Sequence, residues 1–181
     1  MPITKYLEHN AEQFGNDCAL VELNPEVRDT RRMTWKEYDL TQPEPNLPYR
    51  REISWKIFNE KANRCAHYLL ERGVHRGDKV GILMMNCLEW LPIYFGILKT
   101  GALAVPLNFR YASDEIDYCL NLADISVLFF GPEFIGRLEA ISDKIIAHRL
   151  LIYVGEGHEP TFSENYVMSA MNYSSENLNI E

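Results

Sequence analysis

The feature that most constrains the fold is a short run of uninterrupted apolar residues at positions 80–85, which reads Val-Gly-Ile-Leu-Met-Met. A strand with one face in water alternates apolar and polar residues, whereas this run contains no polar residue. Strands of this kind are buried on both faces, as they are in parallel sheets that helices cover on both sides. The run therefore predicts a parallel β-sheet.

Helical and strand patterns alternate around this run. The clearest helix is predicted to begin after its N-cap Ser54 and to end at Gly73, with one apolar stripe formed by Phe58, Ala62, Cys65, Ala66 and Leu69. The segments predicted after residue 85 are a helix at 88–99, a strand at 103–107, a helix capped by Ser113, a strand at 127–130, a helix from Pro132 through Ile141 and a last strand at 150–154. Parallel strands joined in this way have right-handed crossovers, so we predict a largely parallel, doubly wound α/β sheet flanked by helices.

The chain divides into four segments by pattern. Residues 1–24 predict a helix and a strand: Thr4 caps the helix, whose apolar face carries Tyr6, Leu7, Ala11 and Phe14, and the strand spans 18–23. Residues 25–52 form an extended, proline-containing excursion with a short edge strand at 33–38. Its role is open between a surface embellishment, which we favour, a dimer contact and part of a neighbouring subdomain. Residues 53–155 form the parallel layer, and 156–181 form a polar tail with a short helix at 162–171, which we expect to lead into a missing remainder.

Composition and charge exclude several classes of partner. The 181 residues carry 18 Lys and Arg against 26 Asp and Glu, a net charge of −8, which argues against a nucleic-acid partner. The 90–107 stretch has the length of a membrane span, but its prolines and glycines favour a buried helix followed by a buried strand.

Four widely spaced cysteines (Cys18, Cys65, Cys87 and Cys119) are predicted to be reduced, buried thiols of a cytoplasmic protein, with a disulfide pair as the alternative.

No recognisable catalytic, cofactor-binding or metal-ligating set occurs in the sequence. Dinucleotide-binding, P-loop and nucleophile-elbow glycine patterns are absent, and the five histidines lack zinc spacing. The step from Gly131 to Pro132 follows a strand and begins a helix, so anion binding there is geometrically possible. The step has one glycine and no nearby Lys, Ser or Thr, so we do not favour an anion site. The acidic cluster Asp114, Glu115 and Asp117 is explained by the helix dipole, and His158 with Glu159 by a solvated loop. We therefore assign no site residue of any kind.

Four stretches together resemble the N-terminal part of the adenylate-forming enzymes, the acyl-CoA synthetase and AMP-dependent ligase superfamily. Residues 53–58 are similar to the family's first core motif, with Ile57 where the family usually has Glu. Residues 73–80 resemble its Gly-Val-x-x-Gly-Asp-x-Val phrase, 85–90 its Pro-Asn-x-x-Glu-Phe/Trp step, and 98–108 its second core motif. The four occur in the family's order, so the resemblance extends to the order of elements along nearly the whole chain.

The resemblance implies a function that this chain alone does not complete. In the family, a small-molecule carboxylic acid and ATP form an acyl-adenylate with Mg²⁺, and coenzyme A then accepts the acyl group. The family's phosphate loop, ribose-binding acid and catalytic lysine have no match here, so we expect the 181-residue piece to be inactive and to bind none of these cofactors tightly. Two alternatives stay open: a stand-alone nucleotide- or acyl-CoA-binding module, and an unrelated structural or interaction domain. A homo-oligomer is compatible with the sequence.

Overall fold

The computed structural model describes residues 2–23, 50–156 and 159–178. Its strands are β1 (Cys18–Leu23), β2 (Arg50–Ser54), β3 (Lys79–Leu83), β4 (Leu103–Pro106), β5 (Val127–Phe130), β6 (Leu150–Tyr153) and β7 (Glu164–Asn165). Its α-helices are α1 (Ile3–Gln13), α2 (Trp55–Glu71), α3 (Trp90–Lys99), α4 (Ser113–Leu122), α5 (Ile135–Glu139), α6 (Ser142–Ile145) and α7 (Tyr166–Ala170). Short 3₁₀ helices cover Pro132–Phe134 and Ile146–His148.

The predicted parallel sheet is confirmed. Five strands pair in the order β4-β3-β5-β6-β7, and every pair is parallel. Strand β3 lies between β4 and β5. The connection from β3 to β4 therefore runs to one side of β3, and the connection from β4 to β5 crosses to its other side. Open α/β sheets with such a reversal have a crevice at the carboxyl ends of the strands on either side of it. In this chain the reversal lies between β3 and β5.

Two apolar cores cover the two faces of the sheet, which explains why the strands lack polar alternation. On β5, Val127 and Phe129 face the core that includes α2, α3 and α7, whereas Leu128 and Phe130 face the core that includes α4, α5 and α6. A Cβ atom at Gly81 of β3 would lie 2.8 Å from Leu128 Cδ1, so a larger residue there would force the Leu128 side chain to shift. Residues of the 80–85 run are therefore buried by helices on both sides, as predicted.

Helix α2 has the boundaries that its sequence indicates. The Ser54 side chain accepts a hydrogen bond from Ile57 N at 3.3 Å, and Gly73 follows the helix with φ +79°. Both ends therefore use the expected chemistry, a side-chain N-cap and a left-handed glycine. The predicted stripe is buried, and Cys65 and Leu69 share a core with Val80 of β3. The first long helix thus packs on the first strand of the sheet.

Strands β1 and β2 form a separate two-stranded antiparallel sheet. Strand β1 is confirmed where it was predicted, but residues 50–52, which we included in the excursion, belong to β2. The edge strand predicted at 33–38 lies outside the described residues. The parallel sheet also gains a strand beyond the predicted last one, because β7 pairs with β6 through Ile152 and Tyr153.

Several local predictions were wrong. Thr4 does not cap α1, whose N-cap is Pro2, and Tyr6 and Phe14 are exposed because α1 buries only Leu7 and Glu8. Ala112, not Ser113, is the N-cap of α4, and its backbone N–H is satisfied by the Glu115 carboxylate at 2.8 Å.

Burial and helix continuity also differ from expectation in places. The helix predicted from Pro132 through Ile141 is divided into a 3₁₀ helix and α5, which ends at Glu139, and α6 follows as a separate helix from Ser142. Strand β4 is not fully buried: it lies at the edge of the sheet, and Leu103 is exposed. Of the four cysteines predicted to be buried, only Cys65 is; Cys87 and Cys119 are half-buried and Cys18 is exposed, although all four are free thiols as predicted. Within the three described ranges, none of the helices has the length and apolar character needed to cross a membrane.

Candidate functional site

The carboxyl edge of the parallel sheet is the first place where an α/β protein would bind a ligand. Gly131, which follows β5 beside the reversal point, is buried, and its N–H already donates to Leu83 O at 3.1 Å. A Cβ at this glycine would meet the Glu133 carboxylate at 2.6 Å, and the helix that begins at Pro132 is a single 3₁₀ turn. The Gly131 amide is therefore already bonded and lies beside a carboxylate, and we derive no nucleotide chemistry from this turn.

The loop after β4 is held at the same edge by Arg137 of α5. Its Nη1 donates to the carbonyl oxygens of Phe109 at 2.6 Å and Tyr111 at 3.0 Å, and its guanidinium lies 5.4 Å from the Phe134 ring centroid. These bonds direct the Arg137 charge to the backbone of the loop. Arg137 therefore holds the loop after β4 in place, and its guanidinium is engaged in contacts within the protein.

A second candidate site is a polar cleft of about 590 Å³ between α2 and the segment that follows α7. Its lining residues are His67, Glu71, Arg72, Ser169, Asn172, Tyr173 and Ser174. The cleft exists because β7 brings the chain back beside α2, so that the C-terminal segment forms its second wall. Neither the sheet strand nor the wall was predicted, because the 156–181 segment was interpreted as a polar tail.

Arg72 organises one end of this cleft. Its Nε and Nη2 donate to Glu164 Oε2 at 2.8 and 2.5 Å, and its Nη1 donates to Tyr173 Oη at 2.9 Å. The guanidinium also stacks over the Tyr68 ring, 3.7 Å from the centroid, and Tyr68 Oη donates to the same Glu164 oxygen at 3.1 Å. Burial raises the pKa of Tyr68, which keeps its hydroxyl protonated and donating. The network fastens β7 to α2.

Two carboxylates of the acidic cluster of α4 make local contacts within the protein. The Glu115 carboxylate binds the N-cap amide, as described above, and Asp117 Oδ1 accepts from Asn121 Nδ2 at 3.1 Å. Asp117 Oδ2 also lies 3.9 Å from Lys144 Nζ. His158 lies outside the described residues. Among the residues that the structure does describe, no group of three or more His, Cys, Asp or Glu side chains is arranged to hold a metal ion.

Sequence analysis missed two buried polar features. One is an ion pair between Lys99 and Glu8, in which the lysine side chain is 2% exposed. The other is a pair of buried asparagines, Asn59 and Asn63, one turn apart on α2 and bonded to the C-terminal segment. Both asparagines lie beside the apolar stripe of α2, at i and i+4. That spacing of amide side chains at the border of a buried face is the signal that would have indicated a partner.

Comparisons with known proteins agree with this fold. A medium/long-chain-fatty-acid–CoA/3-oxocholest-4-en-26-oate–CoA ligase of Mycobacterium marinum is 30% identical over 111 residues, which are 61% of this chain and 20% of the relative. The crystal structure of the anthranilate CoA ligase AuaEII in complex with anthranoyl-AMP superposes with a TM-score of 0.76 at 23% identity, over 97% of this chain and 30% of the other. The N-terminal domain of FACL13 from Mycobacterium tuberculosis gives 0.72 at 22% identity, over 99% and 37%.

These two structural similarities show the fold of the chain. The chain spans about one fifth of the length of the curated relatives that it matches. The model of the family described as AMP-binding enzyme matches residues 7–171, which is most of the chain. On that match, the chain belongs to the AMP-binding enzyme family.

Proposed function

We propose that this chain is the N-terminal part of an ATP-dependent acid–CoA ligase. The reaction joins a carboxylate to the AMP moiety of ATP with release of pyrophosphate, and coenzyme A then takes the acyl group with release of AMP. The observation that supports the proposal is the match of the AMP-binding enzyme family model to residues 7–171. Mg²⁺ would supply charge neutralisation for the triphosphate.

Within that reaction, we propose that these residues act as a scaffold and contribute no catalytic, cofactor-binding or metal-ligating side chain. The Gly131 amide at the carboxyl edge, Arg72 and Arg137 are each bonded to protein groups. Residues 1–181 alone would then form no acyl-adenylate. Their contribution is to hold the parallel layer in one geometry, against which the rest of the ligase would pack.

We further propose that the substrate is a small-molecule carboxylic acid and that the protein works in the cytoplasm. The M. marinum relative is named as a ligase for medium- and long-chain fatty acids and a steroid acid, which supports an apolar carboxylate. Free thiols at Cys18, Cys65, Cys87 and Cys119 suit a reducing compartment. A homo-oligomer remains a prediction, and size-exclusion chromatography with light scattering tests it.

A chimera tests the proposed function. The matching N-terminal portion of the M. marinum ligase is replaced by this chain, and acyl-CoA formation from a fatty acid, ATP and coenzyme A is measured by mass spectrometry beside the unaltered ligase. We expect the chimera to retain ATP-dependent synthesis. A chimera that folds, as circular dichroism and gel filtration would show, but does not release AMP would contradict the ligase proposal.

The isolated chain provides the complementary measurement. Under the same conditions, we expect residues 1–181 to release no AMP, and activity from them would contradict the scaffold role. Titration calorimetry with ATP and with an acyl-CoA separates the scaffold from a binding module. Saturable binding to the isolated chain would favour the module, and the absence of heat for both ligands would favour the scaffold.

A further inference from the structure

The segment that follows Tyr173 lies along α2 and is held there by asparagine side chains. Asn63 Nδ2 donates to Ser175 O at 2.8 Å and to Asn177 Oδ1 at 3.0 Å. Asn59 Nδ2 donates to the same Asn177 oxygen at 2.9 Å. These contacts join residues more than 110 positions apart in the sequence. We call residues 174–178 the latch segment.

A third α2 side chain continues the row. His67 Nε2 lies 3.2 Å from Glu176 O, so the tautomer that carries a proton on Nε2 donates to that carbonyl. Asn59, Asn63 and His67 are spaced four residues apart, about 6 Å along the helix. These three side chains, which we call the ladder, contact three consecutive residues of the latch segment: Ser175, Glu176 and Asn177.

Every contact of the ladder has the same polarity: α2 donates and the latch segment accepts. The acceptor halves of the two amides, Asn59 Oδ1 and Asn63 Oδ1, are buried and have no hydrogen-bond partner. Burial of a carbonyl oxygen without a donor is unfavourable, because the bond to water is lost and not replaced. The arrangement with the segment on α2 therefore leaves two buried acceptors unpaired, which reduces the net stabilisation that the ladder provides.

The two ends of this region are held differently. Tyr173 packs edge-on against Tyr68 with ring centroids 5.5 Å apart, and its hydroxyl accepts from Arg72. Beyond Tyr173, the side chains of Ser174, Glu176 and Asn177 are exposed, so few apolar contacts retain the segment. Low apolar burial is one mark of a region that opens locally. Tyr173 is therefore held by both a ring contact and a hydrogen bond, whereas the residues that follow it are held mainly by the ladder.

We propose that the latch segment is a releasable strap on α2, hinged after Tyr173, which closes by seating Ser175 O, Glu176 O and Asn177 Oδ1 on the ladder. Its closure places Ser174 in the wall of the polar cleft, so its release widens that cleft. Two forms of the chain then exist in equilibrium, and hydrogen bonds from α2 set their ratio. The inference rests on contacts within this chain and does not depend on the proposed ligase function.

Limited proteolysis by a glutamate-specific protease tests the latch, because the scissile bond after Glu176 lies within it. In the closed form its carbonyl is bound to His67, and a protease needs that backbone extended and free. When opening and closing are fast, cleavage of such a site follows the population of the open form. The full chain is digested under native conditions, and the cut after Glu176 is followed by mass spectrometry beside cuts after Glu60 and Glu71 of α2.

We expect the wild-type chain to be cut after Glu176 well before either site in α2, and more slowly than the same chain in urea. Asn177→Ala removes the acceptor shared by Asn59 and Asn63, and should speed that cut roughly five- to tenfold, as the loss of about one net hydrogen bond would. Asn172→Ala is the control for loss of an exposed amide near the cleft, because Asn172 contributes no side-chain bond to α2; its rate should stay within about twofold. Because Asn177 directly follows the scissile bond, the rate of each variant is divided by its rate in urea, which removes any direct effect of the substitution on the protease.

Three results would each overturn the latch. The cut after Glu176 could appear only together with the cuts in α2, which would mean that the segment opens only on global unfolding. It could proceed as fast in the native chain as in urea, which would mean that no closed form exists. Equal rates for Asn177→Ala and Asn172→Ala would show that the ladder does not hold the segment. Urea denaturation of all three chains, followed by tryptophan fluorescence, checks that global stability is unchanged.

Discussion

Lys99 Nζ donates a 2.8 Å hydrogen bond to Glu8 Oε1 in the protein interior, and this contact joins the end of α3 to α1. Only 2% of the lysine side chain and 11% of the glutamate side chain are exposed. Lys5, which lies at the surface, donates to the other Glu8 oxygen at 2.7 Å. Since α1 buries only Leu7 and Glu8, this ion pair is a principal attachment of the N-terminal helix.

Removal of one partner of this pair should destabilise the chain more than removal of both. Glu8→Gln leaves the Lys99 ammonium buried without its counter-charge, and we expect a loss of about 3 kcal/mol in the free energy of unfolding. The double variant Glu8→Leu with Lys99→Met replaces both charges by apolar groups and should lie within about 1 kcal/mol of wild type. Urea denaturation measures both. Lys5→Ala, a surface control, should lower the free energy of unfolding by less than about 1 kcal/mol. A double variant as unstable as Glu8→Gln would contradict the argument.

The same carboxylate makes stability depend on acidic pH. Burial raises the pKa of Glu8, but the hydrogen bonds and positive charges of Lys5 and Lys99 lower it more, so it lies below its usual value. A carboxyl group with a lowered pKa in the folded state stabilises that state above its unfolded pKa, roughly 4.3, and loses the contribution as the pH falls through the folded value. We expect the melting temperature to fall below about pH 4, and to fall less steeply in Glu8→Gln. Calorimetry between pH 3 and pH 7 would detect the difference, and parallel curves would exclude this role.

Gly96 of α3 sets how closely α3 approaches α2. A Cβ at this position would lie 2.5 Å from Cys65 Cβ and 3.0 Å from Ala62 O. Gly96→Ala should therefore force the helices apart and cost about 2 kcal/mol. Gly136 of α5 has nothing within 4 Å of its Cβ position, so Gly136→Ala should be neutral or stabilising by up to about 1 kcal/mol. Thermal denaturation of both variants measures the two changes in stability. An equal effect at both sites would contradict this account of Gly96.

The four thiols should differ in reactivity. Cys18 is exposed, whereas Cys65 is fully buried, and burial raises its pKa to about 12. Burial likewise raises the pKa of Cys87 to about 11. Because the thiolate is the reactive form, iodoacetamide at pH 8 should label Cys18 first and Cys65 last, at least about 100-fold more slowly. Peptide mapping measures the order, with the urea-unfolded chain as the control in which the four rates converge. Native labelling of Cys65 as fast as Cys18 would be incompatible with its position between α2 and α3.

Local sequence patterns were sufficient to predict a helix or strand wherever the residues that indicate it lie within one segment. The apolar run at 80–85 indicated a strand buried on both faces, and Ser54 and Gly73 indicated where α2 begins and ends. Those predictions succeeded because burial on both faces, an N-cap and a left-handed glycine each leave a mark within a few residues. Thr4 and Ser113 failed as caps for a related reason: a hydroxyl residue near a helix start is only one of several ways to satisfy the first amides, and Glu115 provides another.

Long-range polar contacts were beyond these patterns. Glu164 and Arg72 are 92 residues apart, and nothing near either one indicates the other. Strand β7 has two residues, too few for periodicity to register, and it exists because β6 offers it an open edge. The candidate cleft therefore went unpredicted, even though every residue that lines it was visible in the sequence.

By itself, then, the amino-acid sequence determined the parallel α/β layer, the limits of α2 and the resemblance to a family of enzymes. Hydrophobic periodicity and capping depend on neighbours along the chain, so they can be evaluated without knowing what else is near. Only the tertiary structure decided that Lys99 pairs with Glu8 and that Asn59 and Asn63 hold the C-terminal segment. A buried polar group must find its partner wherever the fold brings a complementary atom, and that atom is set by the packing of distant elements.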